Sequence, residues 1–270
     1  MKGRTFWIIL IVLAMLIVVG ILMQPDEKNA VINEKQTAIF SGHPDQKPIM
    51  WENNGTIVGA GVYVTKEIFA DENVTIDMRY VGSWDVALDN VKTGRIDGVV
   101  GAYKNNEREQ YAVFLGPYTN DSIILFLPER KGFNFTKKED LIGKIGVITK
   151  GDSYGQEMDE FIRNNLTMIT VATPETAFAA LKEGRADYFI YALWAGRNVI
   201  AERKITGIEE SGVILNQPFY IMISKRSPYS SPEFMDQLNK TIEGMKNSGE
   251  IDRIIANVSA WNKIQHSFFI

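Results

Sequence analysis

Cysteine is absent from the 270 residues, and histidine occurs only as His43 and His266. The first absence excludes disulfide frameworks, thiol nucleophiles, Cys-held zinc or iron–sulfur centres and a lipid anchor on an acylated Cys. The second removes imidazole-rich metal sites, so no metal and no cofactor is expected. Excess positive charge is lacking too: 29 Lys and Arg stand against 33 Asp and Glu, for a net charge of −4. A chain without a basic surplus has little with which to neutralise phosphates, so no nucleic-acid partner is expected. What remains, 45% hydrophobic and 23% charged with 9 prolines, is an ordinary globular composition and excludes disordered and collagen-like classes.

One long apolar run is present. Residues 6–23 carry no charge, follow Lys2 and Arg4, and precede Pro25-Asp26-Glu27. As a helix rising 1.5 Å per residue the run reaches about 27 Å, close to the hydrocarbon thickness of a bilayer. The charge order places the N-terminus in the cytoplasm and the chain from about residue 25 outside it. Residues 1–30 read as a signal anchor with a short linker. The other reading is a cleaved signal peptide, for which Val18-Val19-Gly20 is only a poor processing site. Seven Asn-x-Ser/Thr triplets, at Asn54, Asn73, Asn120, Asn134, Asn165, Asn239 and Asn257, agree with export.

Beyond residue 35, short β-branched runs alternate with amphipathic stretches, the pattern of β-α-β units around a mostly parallel sheet. Strands are expected over 37–41, 74–80, 96–101, 123–127, 144–149, 168–171, 186–191 and 220–224. Helices are expected over 59–70, 84–92, 154–164, 174–182, 193–202 and 232–246. The fold class is α/β. An internal echo refines it: Ala87 to Asp97 and Ala177 to Asp187 each run from a helix through a Gly into Arg-x-Asp and a strand. Two related lobes follow from that echo, with the chain crossing between them through the apolar, extended segments 121–128 and 214–224 and a cleft that closes on a ligand.

Several blocks then resemble the family-3 extracellular solute-binding proteins, receptors of polar amino acid ABC transporters. They are Pro48-Ile49-Met50-Trp51-Glu52-Asn53-Asn54-Gly55 with Ile57-Val58-Gly59, Trp84 with Gly94-Arg95-Ile96-Asp97, and Glu107-Arg108 before Val113-Phe114 and Pro117-Tyr118. Asp140-Leu141-Ile142-Gly143-Lys144-Ile145-Gly146-Val147 and the second echo copy complete the set. The resemblance covers about residues 39–258 and rests on the order of the blocks. It implies a two-lobed type II periplasmic-binding fold (Venus flytrap), each lobe a mostly parallel sheet flanked by helices. Lobe one would take residues 35–122 and 218–260, lobe two 126–214, leaving 261–270 as a tail. It further implies a monomeric, non-enzymatic extracytoplasmic protein that binds a small polar, carboxylate-bearing or amino-acid-like solute for an ABC permease, with the N-terminal apolar run as its membrane tether. A sensory receptor is the alternative partner.

Candidate site residues follow. A guanidinium at Arg108 can hold a carboxylate through two parallel hydrogen bonds, which Lys cannot reproduce, and the resemblance assigns it the solute carboxylate. In Gly151-Asp152-Ser153-Tyr154-Gly155, at a helix N-terminus suited to anions, Ser153 matches the family's hydroxyl contact. Asp152 departs from that pattern and reads either as a helix cap or as an obstacle to an anion. Trp84 matches a stacking aromatic, and Trp51, Tyr103, Tyr154 and Tyr191 are further cleft candidates. Ala192 stands where the family's amino acid receptors carry an ammonium-binding Asp, and His43 and Gln46 replace other usual contacts. An ordinary α-amino acid therefore lacks its counter-charge unless Asp45 or Asp152 supplies it. The Gly-x-Ser-x-Gly pattern also admits a hydrolase acting through Ser153, and the fold admits a dehydratase-like enzyme.

Overall fold

The computed structural model describes residues 36–129 and 133–267. The expected membrane segment lies outside them, and no helix among the described residues is long and apolar enough to cross a membrane. The chain from Thr37 onward forms a compact unit. It opens with β1 (Gln36–Ser41) and a small antiparallel sheet of β2 (Asp45–Gln46), β3 (Met50–Asn53) and β4 (Thr56–Val58). There follow α1 (Ala60–Ala70), β5 (Val74–Met78), α2 (Trp84–Thr93), β6 (Gly98–Ala102), the single turn α3 (Asn106–Glu109) and β7 (Ala112–Pro128). The second half holds β8 (Ile145–Thr149), α4 (Gln156–Asn165), β9 (Thr167–Val171), α5 (Pro174–Lys182), β10 (Tyr188–Ala192), α6 (Leu193–Glu202) and β11 (Ile208–Ser224). Helices α7 (Pro232–Asn247) and α8 (Glu250–Ser267) close the chain.

Helix boundaries follow local chemistry. Thr173 and Ser231 accept the Thr176 and Phe234 N–H groups, each with Pro at the first helical position. Helix α2 buries Trp84, Ala87 and Val91, one stripe at helical spacing, and ends on Gly94 in the left-handed conformation. The helix expected from residue 154 begins at Gln156, because Tyr154 gives its N–H to the Asp159 carboxylate and Gly155 takes a φ of 86°. Helix α8 runs on to Ser267, through the stretch expected to be a tail.

Parallel pairing holds in each lobe, β1 with β6 in the first and β10 with β8 and β8 with β9 in the second. The lobes do not, however, keep separate sheets. The expected strands at 123–127 and 220–224 are parts of two 17-residue strands, β7 and β11, paired antiparallel from end to end. Together they join everything into one eight-stranded sheet in the order β5-β1-β6-β11-β7-β10-β8-β9.

The sequence echo is structural. Asp97 and Asp187 each accept an N–H from a neighbouring parallel strand, Ile39 within β1 at 2.7 Å and Ile145 at the start of β8 at 2.8 Å, and each returns its own N–H to the same residue's carbonyl at 2.7 Å. Asp97 also takes the Ser227 hydroxyl. Replacing Asp97 by Ala leaves a part-buried N–H without its acceptor and is expected to cost about 1–3 kcal/mol. The exposed Asp187→Ala should cost less, as read from urea midpoints of the two variants. Of the seven glycosylation triplets, Asn239 is half-buried and accepts the Gly116 N–H at 3.1 Å, whereas the other six asparagines are exposed.

Candidate functional site

Arg108 is placed by α3, whose N-cap Asn105 accepts the Arg108 N–H at 2.8 Å. Its guanidinium is buried and joins the two lobes: Nη1 donates to the Tyr103 carbonyl at 2.7 Å and Nη2 to the Gly151 carbonyl at 2.9 Å. Cζ lies 5.6 Å from the Trp84 ring centre. Among the described residues no carboxylate forms an ion pair with it, and burial lowers its pKa. Gly151 is required on two counts. Its φ is +84°, and a Cβ there would sit 3.2 Å from the Trp84 ring and 3.3 Å from the Asp85 backbone.

The loop between β8 and α4 is built differently from expectation. Asp152 does not cap the helix; it receives the Thr149 hydroxyl and turns an oxygen to 3.6 Å from His43 Nε2 in the opposite lobe. Asp159, one turn into α4, occupies the anion-favouring position instead. It takes the Tyr154 N–H at 2.7 Å, the Ser153 hydroxyl at 2.5 Å and the Asn105 amide at 3.0 Å. Ser153 also accepts from Asn105 at 3.0 Å. The hydroxyl that the sequence offered to a ligand is thus held by three protein groups, Asn105, Asp159 and the Gly155 N–H, and no hydrogen bond joins His43 to it.

The aromatic candidates divide. Trp84 is 6% exposed, belongs to the small core under α2, and faces His43 at 5.4 Å between ring centres. Tyr154 and Tyr191 are buried with satisfied hydroxyls, donating to the Ile190 carbonyl at 2.7 Å and the Asp45 carbonyl at 3.2 Å. Tyr103 donates to Asp121 at 2.8 Å, and Gln46 reaches the same carboxylate at 3.0 Å. Trp51 lies away from Arg108, with Lys47 Nζ 5.6 Å from its ring centre. Ala192, buried at the end of β10, leaves that position without a charge. Asn105, Asp121 and Asp159 escaped the sequence reading; the one available signal was an Asn three residues before Arg108, at capping distance.

Desolvation raises the Asp121 pKa against the opposing hydrogen bonds from Tyr103 and Gln46. The native state therefore holds that proton to higher pH than the unfolded chain does, and stability falls as pH rises from about 3.8 through the folded value. Asp121→Asn keeps an acceptor for Tyr103 and should melt higher than the parent at pH 7. The difference should vanish at pH 3; calorimetry at both pH values reads it.

Three spaces open along the junction of the lobes, one of them a cleft of about 750 Å³ bordered by Asn105, Arg108, Gly151, Asp152, Ser153 and Tyr154. An inner void of about 20 Å³ touches His43, Gln46, Trp84, Tyr103, Arg108 and Ser153, room for about one water-sized group. An outer chamber of about 420 Å³ shares His43 and Trp84 with it and extends past Trp51 and Tyr80. Besides Arg108, the lobes are held together by Lys150 with Asp85 at 2.6 Å, Lys47 with Glu202, and the Asn106 N–H on Gln156 at 3.0 Å. Among the described residues no cluster of three or more His, Asp or Glu is arranged to hold a metal.

A mixed sheet crossed twice by long strands, with a buried guanidinium at the junction of two α/β lobes, defines a two-lobed periplasmic-binding fold. Residues 39–258 match the model of the bacterial extracellular solute-binding proteins, family 3, and the chain belongs to that family. Among solved structures it is similar to a mutant of ArgBP from T. maritima, with 22% identity, a TM-score of 0.68, and 85% of this chain and 97% of that one covered. It is similar to the amino acid ABC transporter substrate-binding protein AbpA of Streptococcus pneumoniae bound to L-arginine, with 21% identity, a TM-score of 0.68 and coverage of 85% and 97%. A histidine kinase sensor domain with similarity to periplasmic binding proteins aligns at 21% identity and a TM-score of 0.69, covering 83% and 96%. At these identities the likeness is one of fold. No curated protein matches the chain.

Proposed function

We propose that the protein captures a small carboxylate-bearing, amino-acid-like solute outside the cytoplasm and delivers it to the permease of an ABC transporter. The observation that carries this reading is Arg108, a buried cation between the lobes whose only hydrogen-bond partners among the described residues are two backbone carbonyls. A guanidinium has five N–H donors, and a carboxylate is the partner that matches its charge and its fork. The inner void is too small for such a solute, and Arg108 also borders the cleft of about 750 Å³; on this reading the lobes part and the solute carboxylate takes the place of the Gly151 carbonyl. In this scheme Trp84 and Tyr103 wall the carboxylate, and Ser153, Asp152 and Tyr154 close from lobe two. Trp51 and Tyr191 border the rest of the solute. The division into residues 35–122 with 218–260 and 126–214, the N-terminal tether and the monomeric state belong to the same proposal. The likeness to a sensor domain supports a second reading, in which closure is passed to a signalling partner instead of a permease.

The test is a thermal-shift screen of amino acids, amines and small carboxylates, repeated with Arg108→Ala. A solute at a hundred times its Kd should stabilise by about 2.7 kcal/mol. A shift that is lost in the variant supports the reading; a shift that persists sinks the assignment of Arg108.

A further inference from the structure

The lobes meet through the protein's own polar groups, and one side chain serves both sides of the junction. Asn105, buried just ahead of α3, accepts the Arg108 N–H on its Oδ1 at 2.8 Å. A backbone N–H can only donate, so this contact fixes which end of the amide is oxygen and turns the NH2 group toward lobe two. There it donates to the Ser153 hydroxyl and to the Asp159 carboxylate, each at 3.0 Å. From its own side Asp159 receives the Tyr154 N–H at 2.7 Å and the Ser153 hydroxyl at 2.5 Å. Hydrogen bonds to a charged group are stronger than neutral ones, and salt screens them little where they are buried.

Other bonds cross at the same place. The Arg108 guanidinium donates to the Gly151 carbonyl at 2.9 Å, and the Asn106 N–H to the Gln156 side chain at 3.0 Å. Gln217, on the crossing strand β11, donates its amide to the Tyr154 carbonyl at 2.5 Å. Each charged end of the junction thereby has a protein partner. The guanidinium of lobe one meets a carbonyl of lobe two, and the positive N-terminal end of α4 meets Asp159.

We propose that Asn105 and Asp159 form a latch that holds the two lobes shut on the protein's own groups, so that closure precedes the solute and the solute has to release it. Asp159 is the internal carboxylate of this device, and Asn105 is the donor that reaches it from lobe one. The latch lowers the fraction of open, binding-competent molecules, and the apparent Kd rises by the reciprocal of that fraction. The inference concerns the equilibrium of the lobes alone and holds whatever the solute is.

The chain has no cysteine, so Gln110→Cys with Arg163→Cys places two spin labels at defined positions. Both residues are exposed, and they border the cleft of about 750 Å³ from opposite lobes. Electron paramagnetic resonance reads the distance between the labels in the full-length protein, kept in detergent and freed of co-purified solute by denaturation and refolding. A single short distance is expected in this background. Asn105→Asp keeps an oxygen for the Arg108 N–H but sets a second carboxylate against Asp159, and it should move at least half of the molecules to a longer distance. Exchanging the pair, Asn105→Asp with Asp159→Asn, restores one donor and one carboxylate across the junction and should bring the short distance back. That return distinguishes release of the latch from loss of the fold. A long distance in the labelled parent, no lengthening in Asn105→Asp, or no return in the exchanged pair overturns the latch. Capture of a carboxylate by Arg108 is read separately in the thermal-shift screen, so either can fail while the other stands.

Discussion

Arg108→Lys is expected to leave the fold intact and to weaken solute binding by at least about thirtyfold, the lower end of the 2–5 kcal/mol seen when one partner of a buried charge pair is lost. The two residues carry the same formal charge, so the effect isolates geometry. Arg108 spans from the Tyr103 carbonyl to the Gly151 carbonyl with two nitrogens of one rigid plane. An ammonium has no second nitrogen with which to bridge lobe one to lobe two and face a carboxylate at the same time. Desolvation adds to the loss. The environment that lowers the pKa of Arg108 would act more strongly on a lysine and favour its neutral amine. Residual binding in the variant should therefore weaken further as pH rises from 6 to 9, while the parent stays flat over that range. Calorimetric titrations at three pH values give both readings, and an affinity within threefold of the parent would falsify the role of Arg108.

Gly98→Ala should be among the more damaging single-methyl changes in the first lobe. Gly98 sits on β6 between Phe40 of β1 and Ile223 of β11. A Cβ there would lie 2.5 Å from the Met222 carbonyl oxygen and 2.6 Å from the Phe40 ring. Phe40 is fully buried against Phe69, and the carbonyl belongs to the sheet, so neither can retreat cheaply. Overpacking of this kind costs about 1–3 kcal/mol where side chains can yield and more where backbone must move; a loss of about 3 kcal/mol or more is expected. Gly244→Ala is the matching control. That glycine is exposed within α7 with nothing near a Cβ, and alanine there should stabilise by about 0.5–1 kcal/mol. Urea denaturation of the pair should move the midpoint in opposite directions, and equal shifts would refute the packing argument.

Much of the architecture was legible because it rests on local rules. The helices at 174–182 and 193–202 fall where the sequence puts them, with Thr173 and Pro174 marking the first. The Gly-Arg-x-Asp echo was legible for the same reason, since a left-handed cap needs its glycine. The small sheet β2 to β4 was not legible: strands of two to four residues are too short for periodicity to register. The length of β7 and β11 was hidden by Gly116, Pro117 and Pro218, which read as breaks although both strands continue through them. At the site, Arg108 and Trp84 could be placed by their distance from β6 and α2. The carboxylates of the surrounding network could not, because Asp159 reaches back from α4 to Ser153 and Tyr154, and Asp121 meets Tyr103 only once β7 is in place. Contacts between segments 18 to 75 residues apart leave no mark at either end.

The central ladder of β7 with β11 also fixes an order of events. The second half of β11, paired with both β6 and β7, is the inner strand of the first lobe, yet it comes about a hundred residues after the start of β7. A chain emerging N-terminus first must hold β6 with an open edge while the whole of the second lobe is made. The first lobe to appear is the last to be completed, and long-range pairing of this kind is slow and exposed to wrong partners. Truncation before Gln217 accordingly removes an internal strand, and the remaining fragment should be captured by chaperones instead of folding as a half-sized receptor.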